Sequence, residues 1–228
     1  MGLDSGYGIG SLKPGVCTST TRPAVPFDGQ TISETDTDQL KVYNGTSWIG
    51  VGGLAPVIPT SIAATGGSSS LSGATATFTG TSTISLNGIF TATYNAYRII
   101  IEVLPSTTAY LRGRLRVAGT DNATAGNYNY VMNQSVYSTG ATSMWGLGPD
   151  PLWHFAQTNT TSYSVAVIDI AGAYSSSKRA SYTCLSTNPL DTDWGGGQMT
   201  VTTSYDGITF YPSTGTFTGT VTAYGYAL

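Results

Sequence analysis

Apolar residues occupy every second position in several stretches of the chain, and this period of two is typical of a β-strand with one buried face. In one stretch, Tyr97, Ile99 and Ile101 fall on the same face of a strand. In the next stretch, Leu111 and Leu115 do the same. No stretch shows a convincing helical period, so the pattern predicts strands and no amphipathic helix.

Segments with strand character recur at roughly ten-residue intervals after the first third of the chain, as in an antiparallel sandwich. The dipeptide Asp206-Gly207 is a hairpin-turn signal near the end of this series. The sequence therefore predicts an all-β fold whose main part, residues 74–228, is an antiparallel, jelly-roll-like β-sandwich. The predicted strands cover residues 75–78, 97–104, 109–117, 128–137, 163–170, 180–185, 198–204, 208–211 and 219–226.

The first third of the chain divides into three parts. Residues 1–29 are rich in glycine and proline, which predicts an extended arm. Residues 30–51 contain three short β-runs and the hairpin signal Asn44-Gly45, which predicts a small β-meander. Residues 52–73 are rich in glycine, serine and proline, and this composition is typical of a linker. The three runs are 31–35, 40–43 and 48–51.

Charged residues make up only 9% of the chain and the net charge is -3, so the surface is polar without being strongly ionic. Nucleic acids select basic stripes and membranes select apolar spans or basic amphipathic helices, so we expect neither as a partner. The first residues lack a basic segment followed by an apolar one, which predicts no secretory signal peptide. Weakly charged strand edges favour association, and a closed oligomer would hide them.

The side chains that usually carry catalysis are scarce. His154 is the only histidine, and Glu34 and Glu102 are the only glutamates, so we predict no catalytic residues. Cys17 and Cys184 are far apart and have no neighbouring ligand motif, which predicts two free thiols and no metal site. We expect no cofactor.

The segment 139–155, TGATSMWGLGPDPLWHF, places several aromatic side chains in a stretch rich in glycine and proline between strands. Because sugar rings stack on aromatic faces, Trp145 and Trp153, with Asp150 and His154 nearby, form a candidate glycan platform. The alternative, which the sequence favours, is that these tryptophans close an end of the sandwich or a subunit interface.

Three arginines alternate along one predicted strand, so Arg112, Arg114 and Arg116 share a face. Guanidinium groups suit the sulfate, phosphate or carboxylate groups of a glycan, which makes this ladder a second candidate binding surface. The favoured alternative is a ladder that faces solvent or another subunit and pairs with neighbouring acids.

The N-terminal third carries a recognisable motif, TRPAVPFDGQTI at 21–32, ETDTDQL at 34–40 and YNGTSW at 43–48. This motif resembles a module common in phage tail-fibre and other virion proteins. Two later segments, ISLNGIF at 84–90 and GTFTGTV at 215–221, also resemble virion proteins.

The resemblance implies a β-rich, often trimeric virion component that docks to the particle through residues 1–51 and displays its C-terminal domain outward. Within the module, the prolines hold an extended rod and the aromatic residues supply apolar anchors. The attachment residues that we expect on this basis are Phe27, Asp36, Tyr43 and Trp48.

The leading hypothesis is therefore a non-enzymatic virion protein, a homotrimeric fibre or spike subunit that binds other virion proteins and a host-surface glycan. A capsid decoration, cement or head-fibre protein is the nearest alternative, because the sequence does not separate tail from capsid. The alternatives from other classes are an enzyme that degrades host polysaccharide and a free carbohydrate-binding module.

Overall fold

The structure is a computed structural model that describes residues 14–37 and 39–226, so most of the predicted arm, residues 1–13, lies outside it. The chain forms two compact units, a small unit up to Gly53 and a sandwich unit over Leu54–Tyr226. All of the regular structure within the described residues is β-strand, which confirms the predicted all-β class. No helix in this part of the chain is long and apolar enough to cross a membrane.

Twenty strands are present in the described residues. The small unit contains β1 (Gly15–Cys17), β2 (Thr31–Glu34), β3 (Gln39–Tyr43) and β4 (Trp48–Gly50). The sandwich unit contains β5 (Leu54–Pro56), β6 (Ser61–Thr65), β7 (Ser68–Ser72), β8 (Thr75–Thr81), β9 (Thr83–Asn87), β10 (Ala96–Pro105), β11 (Ala109–Val117), β12 (Thr120–Asp121), β13 (Tyr128–Val136), β14 (Thr142–Leu147), β15 (Trp153–Thr158), β16 (Ser164–Ala171), β17 (Ser181–Thr187), β18 (Asp191–Met199), β19 (Gly207–Pro212) and β20 (Phe217–Tyr226).

The small unit is a four-stranded sheet in the order β1-β2-β3-β4. β2, β3 and β4 form the predicted antiparallel meander, while β1, from the segment predicted as an arm, adds in parallel to β2. The hairpin between β3 and β4 turns at Asn44-Gly45 as predicted. The Oδ1 atom of Asn44 accepts hydrogen bonds from the backbone N–H groups of Thr46 and Ser47, at 3.0 and 2.8 Å. Gly45 adopts a φ of 87°, which glycine tolerates without strain.

Two sheets pack face to face in the sandwich unit. The larger sheet contains the run β8-β20-β10-β16, and the smaller contains β9-β19-β11, with β15 on the free edge of β11. Counted along the chain, these eight strands alternate between the sheets except at β11 and β15, which share the smaller one. This is the strand order of a jelly roll, as the sequence predicts. β17, β18, β13 and β14 extend the larger sheet on one side, and β7 extends it on the other.

The core lies between the inner faces of the two sheets. Tyr97, Ile99 and Ile101 of β10 are fully buried, as their alternation predicts, and Leu111 and Leu115 of β11 face them from the smaller sheet. Aromatic side chains fill much of the remaining space, because a ring buries a large apolar area with few rotatable bonds. Among the largest are Trp153, Phe155, Tyr182, Phe210 and Phe217.

The predicted linker over residues 52–73 is wrong, because this segment contains β5, β6 and β7, all paired within the sandwich. The sandwich therefore begins at Leu54 rather than at residue 74. The segment 52–73 has the serine, glycine and alanine content of a linker because its strands cover sheet edges and bury few large side chains. A side chain at Gly67 would overlap the backbone at Thr79 and Gly80, so this glycine serves a close approach and not flexibility.

The strand predicted over residues 198–204 is displaced in the structure, where β18 covers Asp191–Met199. The three consecutive glycines of β18, Gly195, Gly196 and Gly197, are typical of a loop when only the sequence is considered. Added Cβ atoms at Gly195 and Gly197 would overlap the neighbouring strand β13, so the glycines allow close packing inside the sheet. The segment 139–155, predicted as an excursion between strands, contains β14 and the start of β15.

Candidate functional site

The face of the small sheet that carries Glu34 and Lys41, which we call the covered face, holds an ion-paired cluster. Glu34 is fully buried there, and its carboxylate accepts hydrogen bonds from Arg22 and from the hydroxyl of Thr37, the latter at 2.9 Å. Lys41 lies 3.9 Å away. Burial opposes ionisation of Glu34, but these hydrogen bonds and the charge of Lys41 outweigh it, so the pKa lies below its usual value. The cluster ties the loop after β1 to the sheet.

The predicted attachment residues divide into structural and exposed ones. The Asp36 carboxylate accepts a 2.8 Å hydrogen bond from the backbone of Ser19, so Asp36 fixes a loop. Tyr43 and Trp48 are cross-strand partners with ring centroids 5.4 Å apart. Phe27 is 69% exposed and is the member of the predicted set that is most available to a partner.

The opposite face of the small sheet is mostly apolar, with Thr31 and Ser33 as its polar members. It carries Val16, Leu40, Val42, Ile49 and Val51, which we call the open apolar face. Val16 is 73% exposed, and Leu40, Ile49 and Val51 are also exposed. Leu40, Val42, Ile49 and Val51 lie side by side on this face, and an exposed apolar patch of this kind is a candidate interaction site.

Trp153 is not a glycan platform. Its side chain is fully buried in the core of the sandwich, against the rings of Tyr128 at 5.3 Å and Tyr182 at 4.6 Å. The reason is its place on β15, where it points to the inner face. Trp153 therefore packs inside the sandwich, and it lies neither on an exposed platform nor at an end or interface as the two alternatives predicted.

His154, the next residue, points to the opposite face of β15 but is also buried, with 7% of its surface exposed. Its ring stacks on Tyr130 at 5.2 Å, and the rings of Trp145 and Tyr110 each lie 5.6 Å away. Burial, with a contribution from the charge of Arg112, lowers the pKa of His154 to about 4. The imidazole is therefore neutral near pH 7 and serves as packing.

Trp145 is half-buried because one face of its ring stacks on Tyr110, with centroids 4.8 Å apart and an angle of 11°. Its Nε1 donates a 2.9 Å hydrogen bond to Asp193. The buried Asp193 carboxylate also accepts a 2.7 Å bond from the backbone N–H of Gln157. Burial raises the pKa of Asp193 to about 6. Asp150, predicted beside Trp145, instead accepts a 2.6 Å bond from the hydroxyl of Tyr130.

The predicted arginine ladder is present on the outer face of β11, but its members have different partners. Arg116 lies 3.4 Å from Asp121 and donates to Thr209 at 2.8 Å. Arg114 donates to the backbone carbonyl of Pro151 at 3.0 Å and covers the ring of Tyr211. Arg112 has no hydrogen bond or ion pair with another described residue. Of the three arginines, only Arg116 pairs with an acid among the described residues, as the favoured alternative predicted for the whole ladder.

A cleft of about 520 Å³ opens at one end of the sandwich, and it was not predicted from the sequence. We call it the end groove. Two loops form its walls, one between β9 and β10 and one between β16 and β17. Each loop carries a tyrosine among small polar residues, Tyr94 in one and Tyr174 in the other, and this is the only signal of the groove in the sequence. Nothing in the sequence shows that the two loops meet. Its chemistry-bearing residues are Thr91, Tyr94, Asn95, Tyr174, Ser175 and Lys178.

A second cleft, of about 210 Å³, shares Ala96 and Ala171 with the end groove and continues it across the outer face of the larger sheet. Asp169 lines this extension, and Arg98 holds its carboxylate by two hydrogen bonds of 2.8 and 2.7 Å. Tyr226 donates a third, at 2.6 Å. The hydrogen bonds from Arg98 are the main reason why the pKa of Asp169 lies below its usual value.

No group of three or more histidine, cysteine, aspartate or glutamate side chains within the described residues is placed to hold a metal ion. Cys17 and Cys184 are free cysteines, as predicted. A comparison with models of known protein families gave no match, and a comparison with curated proteins gave none either.

Proposed function

We propose that this protein is a non-enzymatic structural component of a phage virion, attached through its small unit and displaying the sandwich for binding to a host-surface glycan. The observation that carries the proposal is the open apolar face, which lies on the unit that bears the virion-type motif. Each Å² of apolar surface that a partner covers contributes roughly 25 cal/mol. Docking through this face would therefore stabilise both the unit and its attachment.

The fold of the sandwich supports a display role. Jelly rolls occur in viral capsid proteins and in lectin domains, which is an analogy of fold and not of site. With few charges on its surface, the chain must recognise partners through shape, stacking and hydrogen bonds. The end groove offers these features in one place.

We propose further that the protein associates with itself as a homotrimer. A row of cross-strand neighbours on the outer face of the larger sheet carries no charge and is apolar except for Asn133, which lies between Trp194 and Met144. Leu185, Trp194 and Met144 in this row are 55%, 39% and 58% exposed. Burial of this row between subunits would remove apolar surface from water. Sedimentation equilibrium of the purified chain gives the subunit number.

Immunogold electron microscopy tests the virion proposal, using antibody against residues 54–226 and particles from cells that carry the gene. Gold at the tail or its tip would support a fibre or spike subunit. Gold over the head would favour the capsid decoration alternative. Absence of gold from every particle, with the chain also absent from their protein content, would overturn a virion location.

Attachment through the open apolar face is tested with Leu40→Lys. We expect the variant to fold and to be lost from particles, because a lysine cannot be covered by an apolar partner without cost. Leu190→Lys, at a leucine of the sandwich that is 55% exposed, is the matched control and should remain on particles. Retention of both variants would contradict this mode of attachment.

The enzymatic alternative has its own test. Purified chain is incubated with host envelope polysaccharide, and release of reducing ends is measured over time. Release above a heat-inactivated control would overturn the non-enzymatic proposal. A monomeric chain that binds sugar but never enters particles would instead indicate a free carbohydrate-binding module.

A further inference from the structure

We infer that the end groove binds an acidic oligosaccharide, with a carboxylate-bearing sugar beside Lys178. This inference specifies the glycan binding proposed above and moves it away from the Trp145 segment. It is tested on the purified chain, so its outcome does not depend on where the protein lies in a particle.

The groove is preformed, because internal hydrogen bonds hold both of its walls. The hydroxyl of the buried Tyr97 accepts from the backbone N–H of Thr91 at 2.7 Å and donates to its carbonyl at 2.8 Å. The N–H of Gly172 in the other wall donates to the carbonyl of Asn95 at 3.1 Å, which joins the two loops. The backbone N–H of Tyr205 donates to the carbonyl of Ala173 at 2.8 Å. A ligand therefore need not order these loops, which reduces the entropic cost of binding.

Two tyrosines supply aromatic surface for a sugar ring. Tyr174 is 46% exposed. Tyr94 is fixed by its surroundings, because its ring lies edge-on to Tyr97 at 6.0 Å and against the backbone of Gly225. A Cβ at Gly225 would overlap the Tyr94 ring, so the glycine allows this placement. Aromatic faces bind the apolar faces of sugar rings while the hydroxyl keeps a polar contact.

Hydroxyl and amide groups between the tyrosines complete the site for a polar ligand. Thr91, Asn95 and Ser175 line the groove, and side chains of these types both donate and accept hydrogen bonds. Most ligand sites of roughly 300–1,000 Å³ combine apolar walls with a few such groups. The volume of about 520 Å³ falls within that range.

The preference for an acidic sugar comes from the charges along the groove. Lys178 is exposed and forms no ion pair with another described residue. The one acid along the extension, Asp169, is already neutralised by Arg98. The groove therefore has one unpaired positive charge, which suits a carboxylate.

The extension across Ala96 and Ala171 favours a chain of sugars over a single ring. These small side chains form a shallow floor that leads from the end groove to Ser181 and Thr183. A linear chain that enters beside Lys178 would continue along this floor. The geometry thus assigns the acidic sugar to the end groove and the following sugars to the extension.

Isothermal titration of the full chain with trigalacturonate and with the neutral galactose trimer of the same linkage tests the inference. We expect the acidic trimer to bind roughly tenfold more tightly, because only its carboxylates can pair with the ammonium group of Lys178, at a site where water competes. Lys178→Gln should abolish this difference. Tyr174→Ala should weaken binding of both trimers roughly threefold to tenfold.

Matched variants separate the groove from other surfaces. Tyr163→Ala removes a tyrosine that is 48% exposed and should leave affinity unchanged, and Trp145→Ala should do the same. The inference fails if Trp145→Ala weakens binding and Tyr174→Ala does not. It also fails if the two trimers bind equally, or if a glycan array that includes uronic-acid and sialic-acid oligosaccharides gives no acidic ligand. None of these outcomes alters the test of virion location.

Discussion

The two units of this protein distribute charge and apolar surface in opposite ways. The inner faces of the sandwich are apolar, and Phe210 and Ile99 lie fully buried between its sheets. The covered face of the small sheet instead holds the charged cluster around Glu34 beside the buried Ile32, while most of the aliphatic residues of this sheet form the open apolar face. The sandwich therefore contains its own hydrophobic core, whereas the small unit lacks one of similar size. A partner that covers the open apolar face would therefore add more to the stability of the small unit.

Buried carboxylates show the same contrast. In the small unit, Arg22 and Lys41 keep Glu34 ionised, and its pKa is lowered. In the sandwich, Asp193 has no cationic partner among the described residues, and burial raises its pKa to about 6. Charge thus helps to organise the small unit and is penalised inside the sandwich.

The largest expected effect comes from the core of the sandwich. Phe210→Ala should lower the free energy of unfolding by about 4 kcal/mol, because the lost ring leaves a cavity beside Phe155. Phe27→Ala in the small unit should change it by less than about 0.5 kcal/mol, since that ring is exposed. Urea denaturation of both variants makes the comparison, and equal losses would contradict a core confined to the sandwich.

The second effect concerns the charged cluster. Glu34→Ala should destabilise the small unit by about 3 kcal/mol, because Arg22 and Lys41 would lose their buried partner. The sandwich should keep its thermal transition. Calorimetry with limited proteolysis distinguishes the two units, and Glu102→Ala, at the exposed glutamate of β10, is the control. Loss of both transitions would show that the units depend on each other for stability.

The third effect is a pair of opposing pH dependences inside the sandwich. Between about pH 4 and 6, folded Asp193 holds a proton that the unfolded chain has released, so stability falls as pH rises. Between about pH 4 and 6.5, unfolded His154 holds a proton that the folded chain excludes, so stability rises. In Asp193→Asn only the effect of His154 remains, so stability should rise with pH by about 1–2 kcal/mol. In His154→Gln only the effect of Asp193 remains, so stability should fall with pH by about 1–2 kcal/mol. Urea titrations at three pH values check both signs; identical slopes would contradict the assignment.

The smallest expected effect on stability lies on the open apolar face. Ile49→Thr should change the free energy of unfolding by less than about 0.5 kcal/mol, because Ile49 is 40% exposed in the free chain. Ile168→Thr, at a fully buried isoleucine of β16, should cost about 2 kcal/mol or more. A large loss in Ile49→Thr would mean that this face is already covered in solution.

Much of the fold follows from the period of two along the chain. The alternation in β10 and β11 placed their buried residues correctly, because one face of each strand packs in the core. The edge strands β5, β6 and β7 could not be predicted in this way, because they bury few large side chains. Their pairing depends on partners far along the chain, which local pattern does not show.

The candidate site was harder to predict from the sequence. The sequence singled out Trp153 and His154 because they are rare residues in a turn-rich segment, but a strand there turns Trp153 into the core. Tyr94 and Tyr174 lie in loops eighty residues apart, and only the pairing of β10 with β16 brings these loops together. Exposure and convergence of loops are tertiary properties, so composition alone does not reveal them.

The position of β20 also matters while the protein is being made. This strand lies between β8 and β10, and it also pairs with β5, yet it is synthesised after all of them. At roughly 5–20 residues per second, the ribosome needs several seconds to pass from β10 to β20. During that time the edges of β8 and β10 lack their neighbour and remain open to wrong pairing. The larger sheet therefore cannot close between β8 and β10 until the last strand of the chain has been synthesised.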